Sequence, residues 1–122
     1  MTESAIYQLF YRAMAERRQV VCMYQGHPRA LCPIILGHTD GREKSLVYQF
    51  AGGSSQGPGA AKGWKCLTLS EVGNAELIDG PWHGGDGPHG TAQSCVKVVD
   101  IDVNPDSPYD PKRRLPPLGG RS

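Results

Sequence analysis

The residues best suited to chemistry in this chain stand where short apolar runs begin and end. Tyr24 and Arg29 flank the turn Gln25-Gly26-His27-Pro28 inside VVCMYQGHPRALCPIIL, residues 20–36. Tyr48 lies in a later run, LVYQF, and Lys65 in a third, WKCLTL. A guanidinium forks onto a phosphate or carboxylate, and a phenol stacks on a planar ring or hydrogen-bonds to it. Two cations and two phenols at one mouth would suit a small anion with an attached ring, so these four form the candidate ligand-binding set. They also have a plainer use. Tyr24 and Tyr48 can be half-buried sheet aromatics, and Arg29 a solvated charge at a strand end.

Other constellations carry less. PWHGGDGPHG sets out His83, Asp86 and His89, which are metal-ligating types. Their spacing is not the i, i+4 pair of a helix, and the intervening glycines make the stretch costly to order. An exposed, flexible loop without metal is the expectation. His27 and His38 fall at turns and are given no role. Cys22 or Cys32 with a nearby histidine could form a thiol nucleophile, but both lie in apolar runs that disfavour the thiolate. AGGSSQGPGAAKG, residues 51–63, lacks the G-x-x-x-x-G-K-[ST] pattern of a phosphate-binding loop. No catalytic set emerges, and neither an enzyme nor a cofactor is expected.

The chain that must position these residues has 122 of them, room for one domain and a tail. Hydrophobic residues make up 39%, enough for one modest core, and 16 glycines with 10 prolines point to short strands and many turns. The net charge of +1 is uneven. Residues 104–122 carry Lys112, Arg113, Arg114 and Arg121 against Asp106 and Asp110, so the tail is +2 and the body −1. A body without basic excess is poorly suited to nucleic acid. No apolar run reaches the roughly 18–20 residues of a membrane span, and MTESAIYQLF lacks a basic leader, so a cytoplasmic protein is expected. Cys22, Cys32, Cys66 and Cys95 form no C-x-x-C pair and sit in apolar runs, so reduced core thiols are expected rather than a disulfide.

Residues Ser4 to Arg18 read as an amphipathic helix, with Ser4 as N-cap and Ile6, Leu9, Phe10, Ala13 and Met14 as its stripe. From Val20 the period changes to about 2. Val20–Tyr24 and Arg29–Leu36 form a hairpin in which Pro33 marks an edge or a bulge. After a turn at 38–41, strands are expected at 44–50, 64–69, 75–78 and 95–103. Residues 51–63 and 80–90 read as mobile loops, and PDSPYDPKRRLPPLGGRS as an extended tail outside a domain spanning 1–103. Within that tail, Arg113–Leu118 has the composition of a polyproline ligand for SH3 domains, or of a solvated end. A helix followed by five or six short strands makes a mainly β fold, an antiparallel barrel capped by the helix. Closing the barrel removes the open edges.

The order of these signals over residues 4–79 resembles the WYL domain family. A helix ending A-x-x-x-R-R is followed by V-V-C-M-Y-x-G, R-x-L-x-P, a glycine turn, L-V-Y and L-x-L-S-x-V. The resemblance implies an Sm-like, SH3-type barrel of the kind that bacterial regulators and defence proteins carry to sense small or nucleotide-like ligands. Tyr24 and Arg29 fall on the family's hairpin tyrosine and arginine, and Tyr48 on a polar aromatic beyond its naming triplet. The triplet itself falls on Lys44-Ser45-Leu46, where only Leu46 is kept. In the family's basic strand Lys65 stands for the first arginine, while Thr68 and Glu71 replace two others. No helix-turn-helix is evident, so regulation of DNA would need a separate binding partner.

The expected function is a non-enzymatic ligand-sensing or regulatory module. It would bind a small anionic or nucleotide-like ligand through Tyr24, Arg29, Tyr48 and Lys65, and act through a protein partner or as a homo-oligomer. The alternative is an assembly scaffold using a barrel edge and the proline-rich tail. A single-stranded nucleic-acid binder comes third, because the charge of the body opposes it.

Overall fold

The fold is taken from a computed structural model, which describes residues 4–52, 63–82 and 95–103. Most of the two glycine-rich loops and the whole 104–122 tail, all expected to be flexible, lie outside the described residues. One helix, α1 (Ala5–Glu16), precedes six strands: β1 (Gln19–Tyr24), β2 (His27–Thr39), β3 (Arg42–Gly52), β4 (Gly63–Thr68), β5 (Val72–Ile78) and β6 (Val98–Asp102). A 3-10 turn, Leu69–Glu71, joins β4 to β5.

The helix starts where its cap places it. The Oγ of Ser4 accepts a hydrogen bond from the backbone N–H of Tyr7 at 3.1 Å, satisfying one of the orphan donors of the first turn. It ends at Arg17, whose left-handed backbone (φ 54°) lets its N–H reach the carbonyl of Ala13. Phe10, Ala13 and Met14 are buried as the stripe predicts, whereas Ile6 and Leu9 are only partly covered. Tyr7, outside the predicted stripe, is buried completely.

Both early hairpins turn on two residues with positive φ. Gln25-Gly26 (52°, 80°) and Asp40-Gly41 (53°, 81°) have the signs of type I′ turns, whose twist matches that of the strands they join. The strands therefore run longer than the sequence suggests: β2 takes in His27, Pro28, His38 and Thr39, and β3 reaches Gly52.

All strands pair antiparallel in the order β4-β3-β2-β1-β5, with β6 added to β2. Along one edge β2 carries β3. Along the other, its first half carries β1 (Leu31 opposite Val20) and its second half β6 (Ile35 opposite Asp102). Pro33 lies between these two partners, and the register against β3 shifts between Pro33 and Ile35, the bulge its missing N–H favours. The backbone N–H of Val103 closes the gap by donating to the carbonyl of Ile34 at 3.0 Å. At Gly37 a Cβ would stand 1.9 Å from the carbonyl oxygen of Val98, so only glycine lets β6 lie this close. The expected closure into a barrel is not made by these hydrogen bonds: β4 and β5 are the two ends of the sheet path.

Two apolar layers cover the sheet. On the inner face α1 packs Tyr7, Phe10, Ala13 and Met14 against Val20, Leu31, Leu36, Val47, Leu67 and Ile101. On the outer face Ile34, Ile35, Leu46, Val96 and Val99 form a second cluster, with Tyr48, Trp64 and Trp82 beside it. The expected set of four reduced thiols is corrected here. Cys66 and Cys95 form a disulfide across the outer layer, while Cys22 and Cys32 are free and buried. Cys66 is exposed on β4 and Cys95 half-buried just before β6, and no local spacing announces a pairing between chain segments that only the fold brings together. Such a bridge persists chiefly in oxidising surroundings, which the expected cytoplasmic setting does not supply. No helix among the described residues is long and apolar enough to cross a membrane.

Two tests follow from this packing. Phe10→Ala should cost about 3–5 kcal/mol in denaturant unfolding, because the ring is wholly buried. Unchanged stability would detach the helix from the core. Cys66→Ser should lower stability by about 3–4 kcal/mol, the chain-entropy expectation for the loop that the bridge closes. A variant as stable as the wild type under oxidising conditions would show that the bridge does not constrain the unfolded chain.

Candidate functional site

Strand alternation decides which candidate residues meet. Cys22 and Tyr24 point inward from β1, and Arg29, opposite Cys22, points inward from β2. Gln49, opposite Leu31, is inward on β3, and Lys65, opposite the buried Val47, is inward on β4. Tyr24, Arg29 and Lys65 thus share the inner face. Tyr48 does not. It sits beside Gln49 with the reverse orientation, and its ring meets Trp64 edge-on on the outer face at 5.4 Å between centroids.

Arg29 is only 6% exposed, which removes the solvated strand-end reading. Its guanidinium carbon lies 5.1 Å from the centroid of the Tyr24 ring, a cation–π contact. One terminal nitrogen, Nη1, donates to the side-chain oxygen of Gln49 at 3.3 Å. The buried Nε has no hydrogen-bond partner, and no carboxylate among the described residues forms an ion pair with Arg29. Tyr24 is held in turn, because its hydroxyl accepts the backbone N–H of Thr68 at 3.0 Å where β4 enters the 3-10 turn. The ring that supports the guanidinium is therefore fixed at both ends. Gln49 was absent from the candidate set. Its signal was a polar residue in register with inward-facing Val47, and nothing in its type suggested function.

At the opposite end of the inner face stands a cluster centred on Asp100. The hydroxyl of the buried Tyr7 donates to its Oδ2 at 2.5 Å, and His38 Nδ1 lies 3.1 Å from the same oxygen. The rings of Tyr7 and His38 stack with centroids 5.8 Å apart. This trio ties α1, β2 and β6 together through one carboxylate. His38 had been assigned to a turn without a role, since its partner lies in a strand far along the sequence. No group of three potential metal ligands occurs among the described residues, and His83, Asp86 and His89 lie outside them.

No protein-family model matches the chain, and neither does any curated protein or any solved structure.

The inner face also sets the chemistry of Cys22. Burial pushes its thiol up from the ordinary value of 9.0 to about 11, with the nearby Arg29 charge opposing that rise. A thiol nucleophile at this position is thereby disfavoured. In the folded state the proton is retained up to about pH 11, whereas the unfolded chain releases it near 9. Between those values the unfolded state binds fewer protons, so stability falls as pH rises through the window. The fall should exceed that of Cys22→Ala by up to about 2–3 kcal/mol. Parallel curves for the two proteins, or rapid alkylation of folded Cys22 at pH 8, would contradict the buried thiol.

Proposed function

We infer that the chain is a non-enzymatic ligand-sensing module of the WYL-like kind, in which Arg29 receives a small anionic group. In this reading the sheet is an SH3/Sm-like barrel: five strands in the order β4-β3-β2-β1-β5, a 3-10 turn between β4 and β5, and a helix over the inner face support it. Residues 65–72 keep one basic position of the family's strand, Lys65, and this lies on the same face as Arg29.

One observation carries the proposal. A buried guanidinium normally has a carboxylate or a full set of acceptors, because removing an ion from water costs several kcal/mol. Arg29 has a ring face, one amide oxygen and an unpartnered Nε. A phosphate or carboxylate would complete the set with charge-assisted bonds of about 1.5–3 kcal/mol each. Tyr24 and Gln49 hold the guanidinium in place before any ligand arrives, which lowers the ordering cost of binding. Tyr48, on the other face, has no part in this set. The ligand signal would pass to a protein partner or a second protomer.

Arg29→Met separates this role from a structural one. Replacing an uncompensated buried charge by an apolar side chain of similar length should leave the ligand-free protein as stable as before or more so. Thermal unfolding with inorganic phosphate, sulfate and nucleoside monophosphates should show stabilisation of the wild type that added salt weakens. That stabilisation should vanish in Arg29→Met. A marked loss of stability in Arg29→Met, with no anion effect on the wild type, would make Arg29 a structural residue.

A further inference from the structure

The Cys66–Cys95 bridge and the Arg29 site are joined through one strand. β4 ends the strand path and has β3 as its strand partner among the described residues. The bridge gives it a second anchor. Cys66 is fastened to Cys95, and Cys95 is held to the end of β2. There Thr39 Oγ1 donates to the Cys95 carbonyl at 2.7 Å and accepts the N–H of Lys97 at 3.0 Å. Two residues beyond Cys66 on β4, the backbone N–H of Thr68 donates to the Tyr24 hydroxyl at 3.0 Å. The face of that ring carries the Arg29 guanidinium. Cys66, Thr68, Tyr24 and Arg29 are thus successive links between a covalent bond and a buried charge.

The bridge is open to solvent at one end. Cys66 is exposed and Cys95 half-buried, whereas the free Cys22 and Cys32 are buried. Exposed disulfides are the more labile ones, and in reducing surroundings they open and close rather than persist. Opening the bridge does not remove β4 from the sheet. Its pairing with β3 remains, as does the hydrogen bond from Lys44 Nζ to Thr68 Oγ1 at 2.7 Å. What is lost is the cross-link that opposes local opening of an end strand.

We propose that reversible reduction of Cys66–Cys95 lowers the anion affinity of Arg29 by loosening β4 and, through Thr68, the Tyr24 ring. This rests on the reading of Arg29 as an anion site and adds its regulation. The co-reactant is a dithiol. One of its thiolates attacks Cys66 Sγ, the S–S bond breaks, and Cys95 leaves as a thiolate that takes up a proton. The second thiol then attacks the mixed disulfide and releases Cys66, which is protonated in turn. The reductant closes to its own disulfide, so two electrons and two protons pass to the protein. Coupling between sites is reciprocal, so a bound anion must in turn favour the bridged form.

The full chain is titrated with inorganic phosphate by calorimetry in three states: oxidised, reduced with dithiothreitol, and reoxidised with oxidised glutathione. Reduction should weaken phosphate binding at least about fivefold, and reoxidation should restore it. Amide exchange should quicken at residues 66–68 on reduction, while the core positions Val20, Leu31 and Ile101 keep their protection. Cys66→Ser combined with Cys95→Ser should bind phosphate as the reduced wild type does and ignore dithiothreitol. In a glutathione buffer, saturating phosphate should shift the wild type toward the bridged form by the same factor. Equal phosphate affinity in both redox states, with binding lost in Arg29→Met, would overturn the proposal and leave the anion site standing. Exchange that quickens evenly across the sheet would overturn it too, since the bridge would then add only global stability. Absence of phosphate binding in either state would remove the anion reading, and this proposal with it.

Discussion

Strand β2 has to serve three partners, and the shape of the molecule follows from how it does so. It pairs with β3 along one side for nearly its whole length, while β1 and β6 share the other side in succession. A strand that changes partner midway must carry a defect at the changeover, and Pro33 with the adjacent bulge supplies it. The bulge also resets the alternation. Ile34 and Ile35 both join the outer cluster, after which Leu36 returns to the inner one. Without that extra residue the second half of β2 would present its apolar side chains to the wrong face, and β6 would have no register in which to pair.

The two faces are consequently built by different means. The inner layer joins α1 and the β1–β2 hairpin, neighbours in the chain, to Val47, Leu67, Leu69, Val72 and Ile101 from later elements. The outer layer joins Ile34 and Ile35 of β2 to β3, β4 and the segment ending in β6, and a covalent bridge from Cys66 to Cys95 fastens it. A small domain buries a limited fraction of its surface, and a cross-link compensates for the modest area of a second cluster. Polar groups are placed at the two ends of the inner layer: Arg29 with Tyr24 and Gln49 at one, Asp100 with Tyr7 and His38 at the other. The two differ in balance. Asp100 is a buried acceptor met by two donors, whereas Arg29 is a buried donor met by one acceptor and a ring.

Much of the fold was legible because it is written in local signals. Ser4 caps the helix, the Gly26 and Gly41 turns fix two hairpins, and Pro33 marks the bulge. What escaped depends on registers that sequence does not display. Tyr48 was grouped with Arg29 because its strand neighbours the right one, but a one-residue difference in parity put it on the other face with Trp64. His38 seemed idle because Asp100 comes to it only through the β2–β6 pairing. The disulfide was missed for the same reason: composition and spacing favoured apolar thiols, and only the fold brings β4 beside the start of the last segment. Burial of Arg29 was hidden by its position next to a turn, where a charge is ordinarily wet.

That burial is the point at which stability and function separate. A guanidinium at 6% exposure, resting on a tyrosine and sharing one hydrogen bond with Gln49, adds little to a core that an aliphatic side chain would fill at lower cost. The Tyr24 hydroxyl has a structural use of its own, since it accepts the backbone N–H of Thr68. In the proposed anion site the same fixed ring would serve a second purpose, because a rigid, desolvated donor binds more tightly than one that must first be ordered. The Asp100 cluster at the other end offers the internal control. It has the same burial, a charged group and two aromatic neighbours, but Tyr7 and His38 both meet its Oδ2 and tie it to other elements of its own chain. Two polar clusters of similar depth therefore differ in their balance of donors and acceptors, and the buried Arg29 Nε left without a partner is the observation on which the proposal of an anion rests.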